Sequence, residues 1–359
     1  MMFSLDTEGN IAEGKNESDY SDKLHQIRLA NQRIFTEINM TLKWGILGCG
    51  DVAEYKGGPP LYSVEGSELV AVMRRNVTKA ESFAERHGAK RAYTNIENLL
   101  SDQEINAIYI ATPPDLHCQQ TIQVAEAGKH ILCEKPMAMN TDECRQMIDV
   151  CQKNQVTLMI AYYRRFYPNV LTMKKFLRAN VIGEVILARI NHTSYYNPLP
   201  DEPGAWRTDQ PFSGGGVLMD LGSHRIDLLI HLLGDIESVR GYADPLYCDS
   251  EVDHSAVFTL RFQTGAHATA NINWNIGIPI DDIEIYGTDS VLRCNSLNSG
   301  NLTLENQDEI QDFTQEPLEY THTGLIEDFV NHIRTGEPIC CSGEEGLKTA
   351  EIISELYNQ

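Results

Sequence analysis

From residue 42 onward, short apolar runs alternate with helix-patterned stretches, and this alternation restricts the fold more than any other feature of the chain. The runs cover residues 42–47, 68–73, 107–111, 130–133 and 157–161, with helical patterns at 78–87, 115–127 and 141–154. Gly88 and Gly128 stand directly behind two of those helices, where a left-handed stop is wanted. Strands joined through helices at this spacing must run parallel, so the expected product is a parallel sheet covered by helices. Ligands of such sheets sit at the carboxyl ends of the strands.

After about residue 162 the pattern changes. Strand-like runs at 184–192, 238–242, 255–263, 267–274 and 282–286 follow one another without regular helices between them. The step from 257–262 through Thr264-Gly265 into 266–272 reads as a hairpin, so a largely antiparallel sheet is expected here. Helical patterns at 324–334 and 344–357 close the chain. Its 359 residues exceed what one core usually holds, roughly 250–300, which also points to two domains. Residues 1–39 show helical periodicity (Leu24, Ile27, Leu29, Ile34) without chemistry, and Met40 opens directly onto the first strand. The first 39 residues are expected to be an extension or the product of a misassigned start codon.

Composition excludes several classes. Acids outnumber Lys and Arg 51 to 29, a net charge of −22, whereas a nucleic-acid binder needs clustered bases. No apolar run approaches the ~20 residues of a membrane span, and the amino terminus lacks a signal-peptide pattern. The nine cysteines form no C-x-x-C pair; Cys49, Cys118, Cys133, Cys144 and Cys151 fall in predicted elements or tight turns, as reduced buried thiols do. A cytoplasmic protein is the expectation, without nucleic-acid or membrane partners. Any anionic cofactor must be held by local features against a repulsive overall field.

Such a feature follows the first strand. Gly48-Cys49-Gly50-Asp51-Val52-Ala53 has the form G-x-G-x-x-A. Gly48 makes the tight turn, Gly50 lets a pyrophosphate reach the backbone, and Ala53 permits close helix–strand packing. The helix opening at Asp51 and Val52 offers unpaired N–H groups to phosphate. Gly57-Gly58-Pro59-Pro60 should break this helix early and let it re-form near Leu61. The second strand ends in Arg74-Arg75 rather than an acid. An acid there would bond the ribose of NAD, whereas two guanidinium groups suit the 2′-phosphate of NADP. NADP is therefore preferred over NAD, the other reading of the pair being solvated surface arginines.

Two further motifs carry chemistry. Glu134-Lys135-Pro136 follows the strand 130–133, so Lys135 projects from a strand's carboxyl end, able to hold a substrate hydroxyl or pass its proton. Further on, Gly214-Gly215-Gly216 leads into Asp220 and His224, four apart and on one face of a helix. A carboxylate and an imidazole so placed suit acid/base work at a carbinol; half a metal site and a helix N-cap are the other readings. No Cys/His cluster or H-E-x-x-H accompanies them, so no metal is expected.

The ordered set G-x-G-x-x-A, E-K-P and G-x-L-x-D-x-G-x-H-x-x-D resembles the Gfo/Idh/MocA family (glucose–fructose oxidoreductase, inositol dehydrogenase, rhizopine catabolism) over residues 40 to 359. The resemblance implies an α/β fold with a Rossmann domain at 40–161. A second α+β domain at 162–359 would carry a mainly antiparallel open sheet, with the last helix able to pack back on the first domain. It implies a catalytic set of Lys135, Asp220 and His224. Thr112-Pro113-Pro114-Asp115-Leu116-His117 matches a loop lining the nicotinamide side, and Glu134 and Lys135 flank the same place. Arg164 matches an arginine near cofactor and substrate, in a segment that departs from the family by having Ala161 or Tyr162 where glycine is often found. Trp206-Arg207 resembles a segment beside cofactor or substrate. The function implied is hydride transfer between NADP(H) or NAD(H) and a sugar, cyclitol or related diol or carbonyl compound. Dihydrodiol dehydrogenase and dicarbonyl-sugar reductase are variants of it, and a non-catalytic NAD(P)-binding sensor or partner subunit is the alternative. A homodimer or homotetramer through the second sheet is also implied.

Overall fold

The computed structural model describes residues 40–199, 201–202, 204–246 and 250–359; the helical periodicity expected within 1–39 lies outside them. Six parallel strands form the first sheet: β1 (Leu42–Leu47), β2 (Ser67–Met73), β3 (Arg91–Tyr93), β4 (Ala107–Ile110), β5 (His130–Cys133) and β6 (Leu158–Ile160). Their order is β3-β2-β1-β4-β5-β6, so the chain reverses its direction of travel across the sheet between β1 and β4. That reversal opens a crevice above the carboxyl ends of β1 and β4. β4 and β5 (Ala-Ile-Tyr-Ile and His-Ile-Leu-Cys) are almost wholly buried, because helices cover both faces.

The connecting helices begin and end where local chemistry demands. Asn76 caps Val77–His87 by accepting from Lys79 N at 2.9 Å, and Gly88 ends it in the left-handed region. Asn140 caps Thr141–Lys153 in the same way, with Glu143 accepting back from Met139 N at 3.1 Å. The three-residue strand β3 and the helix Ile96–Ser101 were not marked by the sequence pattern; each is too short to show a period.

The second sheet has eight strands: β7 (Val185–Tyr195), β8 (Ile236–Asp244), β9 (Ser255–Phe262), β10 (His267–Asn273), β11 (Asn275–Gly287), β12 (Val291–Cys294), β13 (Thr303–Glu305) and β14 (Ile310–Asp312). Their order is β14-β13-β12-β11-β7-β10-β9-β8, and only the β7–β10 pair is parallel. β9 alternates strictly: Ala256, Phe258, Leu260 and Phe262 point into the core, while Val257, Thr259 and Arg261 face out. The inward residues join one apolar core with the first sheet. The outward face keeps Tyr242, Val257 and Ile278 exposed. The final helix, Gly343–Tyr357, packs beside the parallel sheet: its Glu351 pairs with Arg145 at 2.8 Å, and just ahead of it Cys341 O accepts from Ile160 N of β6 at 2.8 Å.

Candidate active site

β1 delivers the chain into the glycine turn. Gly48 has φ +101°, and a Cβ there would lie 2.8 Å from Ala111 O, so only glycine fits beside the turn after β4. Around Gly50 the opposite holds: nothing lies within 4 Å of where its Cβ would be, leaving backbone open to the crevice. The helix then opens at Asp51, where the first N–H groups have no carbonyl one turn earlier to bond. A five-residue π turn, Ala53–Gly57, follows, and the chain re-forms a helical turn at Pro60–Ser63, as the Gly-Gly-Pro-Pro run requires. Arg74 folds over this turn and donates to Cys49 O, while Arg75 is exposed.

Above the strand ends lies a cavity of about 370 Å³. Gly50, Asp51, Val52, Thr112 and Pro113 line one side, and Trp206, Arg207, Asp220 and His224 the other. Glu134, Lys135 and Arg164 complete the wall, joined by Lys56 and Tyr163, which the motif reading did not single out as site residues. Of the candidate site residues, Gly48, Arg74, Arg75 and His117 do not line it. Gly48 is used inside the turn and the two arginines stand at the end of β2. His117 is fully buried, with Nδ1 3.0 Å from Pro136 O and Nε2 2.8 Å from Thr112 O. It holds together the loops after β4 and β5.

At the cavity's centre Lys135 Nζ donates to Asp220 Oδ1 at 2.7 Å and to Asp220 O at 2.9 Å, joining residues 85 positions apart. Arg207 Nε reaches the other carboxylate oxygen at 3.5 Å, with its guanidinium 4.6 Å from the Trp206 ring centre. Burial would raise the Asp220 carboxyl, but the charges of Lys135 and Arg207 outweigh it and hold the group below its usual range. Asp220 therefore pairs with the lysine, and no bond joins it to His224. The reason is local: Leu218–Gly222 is a π turn, closed by Ser223 N donating to Leu218 O. The extra residue rotates Asp220 relative to the helix Ser223–Leu233 that carries His224.

His224 is almost fully buried, edge-on to Tyr163 at 5.0 Å and to Tyr162 at 6.0 Å, and its Nδ1 has no partner. Burial first, then the charges of Lys135, Arg164 and Arg225, hold its pKa well below the usual 6.5. The imidazole is neutral at neutral pH, in the form that accepts a proton.

Behind Lys135, Glu134 accepts from Tyr109 at 2.6 Å and bonds His322 Nε2 at 2.9 Å. Burial pushes this carboxyl up, but the His322 and Tyr109 bonds and the Lys135 charge more than offset it, leaving the pKa at about 2. His322 stacks on Tyr163 at 4.6 Å, so the pair also props the cavity wall. On the far side, Arg164 bonds Asp281 at 3.3 Å and Asn298 at 3.2 Å. Arg225 also binds Asp281, and donates to His192 Nδ1 at 2.8 Å. Lys56, Tyr163, His322, Asp281 and Arg225 stand outside the motif positions, and only the closeness of Tyr163 to Arg164 and of Arg225 to His224 could have flagged any of them. Among the described residues, no group of three His, Cys, Asp or Glu converges as metal ligands would.

A reversed parallel sheet, an open glycine turn and the Lys135–Asp220 pair with His224 across the crevice fit a nucleotide-dependent oxidoreductase class. Residues 42–162 match the family described as "Oxidoreductase family, NAD-binding Rossmann fold", and residues 170–293 match the "GFO/IDH/MocA C-terminal domain". The chain belongs to the Gfo/Idh/MocA family, and is a nicotinamide-dependent oxidoreductase. It is 35% identical to Oxidoreductase P35 of Formosa agariphila over 315 residues, 87% of this chain and 97% of that protein. It is 28% identical to the 1,5-anhydro-D-fructose reductase of Ensifer adhaerens over 85% of this chain and 92% of that protein. The aldose-aldose oxidoreductase of Caulobacter crescentus, solved with glycerol, superposes with a TM-score of 0.81 at 25% identity, covering 89% of this chain and 97% of the other. Levoglucosan dehydrogenase, solved with NADH, gives 0.79 at 25% identity over 89% of this chain and 96% of the other.

Proposed function

We propose that the chain moves a hydride reversibly between a nicotinamide dinucleotide and a hydroxyl-bearing carbon of a sugar, cyclitol or related diol. The observation that carries this is the Lys135–Asp220 pair at 2.7 Å on the cavity wall, with neutral His224 on the same wall. The residues fit the cofactor: Gly50 leaves backbone open for a pyrophosphate, with Asp51 and Val52 at a helix start. Thr112, Pro113, Glu134, Lys135 and Arg164 would surround the nicotinamide end, and Arg74 and Arg75 the adenosine end. Arg74 and Arg75 support NADP over NAD. When bound, the nicotinamide supplies or takes the hydride; the protein handles the proton.

Lys135 keeps its ammonium oriented by two bonds to Asp220 and has a third N–H to give a substrate oxygen. In the oxidising direction His224, neutral and on the cavity wall, takes the hydroxyl proton. Asp220 positions Lys135 and, with Arg207, fixes the charge around it. Trp206 and Arg207 close the cavity over the substrate. The relatives named for anhydrofructose and levoglucosan support a polyhydroxylated substrate.

We assign residues 40–161 to cofactor binding and 162–359 to substrate binding. The exposed Tyr242, Val257 and Ile278 on the second sheet support a homodimer or homotetramer through that face. The eight free cysteines among the described residues fit a reducing, cytoplasmic setting. The test is cofactor oxidation or reduction over a panel of sugars, cyclitols and dihydrodiols. Turnover of at least one member is expected; tight NADPH binding with no turnover on any would favour a sensor instead.

A further inference from the structure

Beyond the Tyr163–Arg164 wall lies a second chamber of about 310 Å³, and its lining departs from the character of the chain. Acids outnumber bases 51 to 29 in the sequence, yet among the described residues Lys56 and Arg164 are on this wall and no carboxylate is. The remaining polar groups include Asn298, Tyr167 and Thr321, with Leu297 and Pro317 between them. In the main cavity, by contrast, Asp51, Glu134 and Asp220 stand beside the cations.

The cation in the wall is built in rather than incidental. Arg164 is almost fully buried, and its Nε has no hydrogen-bond partner. Its one carboxylate, Asp281, is shared with the fully buried Arg225, so two guanidinium groups lean on one carboxylate. A buried surplus of positive charge is costly unless an anion completes it. Tyr163 reports the same field: burial raises its phenol, but Arg164, Lys56 and Lys135 bring it below its usual value.

We propose that this chamber receives the anionic group, carboxylate or phosphate ester, of a charged sugar whose hydroxyl carbon reacts in the main cavity. Lys56, Tyr163 and Arg164 line both spaces, so the chamber adjoins the main cavity at these two cations. The cofactor's own phosphates do not account for the chamber. They belong at the glycine turn and the end of β2, whereas the chamber, Lys56 apart, is walled by residues of 163–169 after β6, of 297–300 after β12, and by Pro317 and Thr321. A charge-assisted bond to a guanidinium is among the stronger contacts a sugar can make, and it selects acids over neutral parents.

This inference rests on the hydride-transfer reading for where the reacting carbon sits, but its test is separate. The full chain, saturated with NADH or NADPH, is titrated calorimetrically with D-glucuronate, D-galacturonate and glucose 6-phosphate, and with glucose and galactose as neutral parents. At least one anionic sugar should bind about tenfold or more tightly than its parent, the scale of one charge-assisted bond. Lys56→Met and Arg164→Met should each shrink that gain, and Lys56, being exposed, serves even if the Arg164 variant fails to fold. A gain for a uronate identifies a carboxylate, and one confined to glucose 6-phosphate identifies a phosphate ester. Equal or weaker binding of every anionic sugar overturns the inference. Turnover of neutral sugars together with that result leaves the hydride-transfer reading standing. Tighter uronate binding with no hydride transfer on any sugar does the reverse.

Discussion

Arg164 and Arg165 are neighbours in sequence and lead opposite lives. Arg165 and Asp227 are sealed, 2% and 1% exposed, and every guanidinium nitrogen is bonded: to Asp227, to Cys340 O at 2.7 Å and to Glu345 at 3.1 Å. Arg164 keeps an unpartnered Nε and lines two cavities. The same split divides the aspartates of one motif. Asp227 is locked to Arg165, while Asp220, 21% exposed, holds a lysine that faces open space. Chemistry alone does not separate a structural ion pair from a working one; completeness of pairing does. The sealed cluster staples the segment after β6 to the helix Ser223–Leu233 and to the final helix.

That contrast can be broken by substitution. Asp227→Ala strands the buried Arg165 charge and should cost about 3–5 kcal/mol of stability, read as a large fall in Tm or in soluble yield. Asp220→Asn should leave Tm nearly unchanged while lowering turnover; a comparable loss of stability from both would erase the distinction.

The open site also has a pH signature. His224 is held well below 6.5, so its proton-accepting form persists as pH falls through that value. Asp220 is likewise held below the usual carboxylate range, so it stays ionised over the same window. The oxidation rate, as kcat/KM, should therefore show no decline centred near pH 6.5, where an unperturbed histidine would impose one. A limb at 6.5 would place His224 in ordinary solvent. The smallest expected effect is at the far end of the cofactor crevice. Arg74→Ala should raise KM for NADPH about tenfold, with little change for NADH, if the guanidinium serves a 2′-phosphate. Equal changes for both would leave Arg74 as a brace on Cys49 O.

What could be read from sequence divides along similar lines. The parallel sheet was legible because β1, β2, β4 and β5 are predominantly apolar runs separated by helix-patterned stretches, with Gly88 and Gly128 as stops. β12, β13 and β14 were not, being three or four residues long and paired only with each other and with β11. The helix Pro168–Arg178 was also missed, although Pro168 stands at its first position. In the site, Lys135, Asp220 and His224 lie in motifs with fixed spacing. Asp281 meets Arg164 across 117 positions and His322 meets Glu134 across 188, contacts that only tertiary packing creates. The Asp220-to-His224 relation was visible as spacing, but the π turn that redirects Asp220 to Lys135 has no sequence signature.

The central claim is that Lys135 handles the substrate oxygen while a hydride moves, and single-turnover kinetics on cofactor-loaded protein test it most directly. With a substrate found by panel screening, Lys135→Met, measured at saturating cofactor, should transfer hydride about 10²–10³-fold more slowly, the usual loss on removing one preorganised donor to a reacting oxygen. Hydride transfer by Lys135→Met at near the wild-type rate would contradict the account.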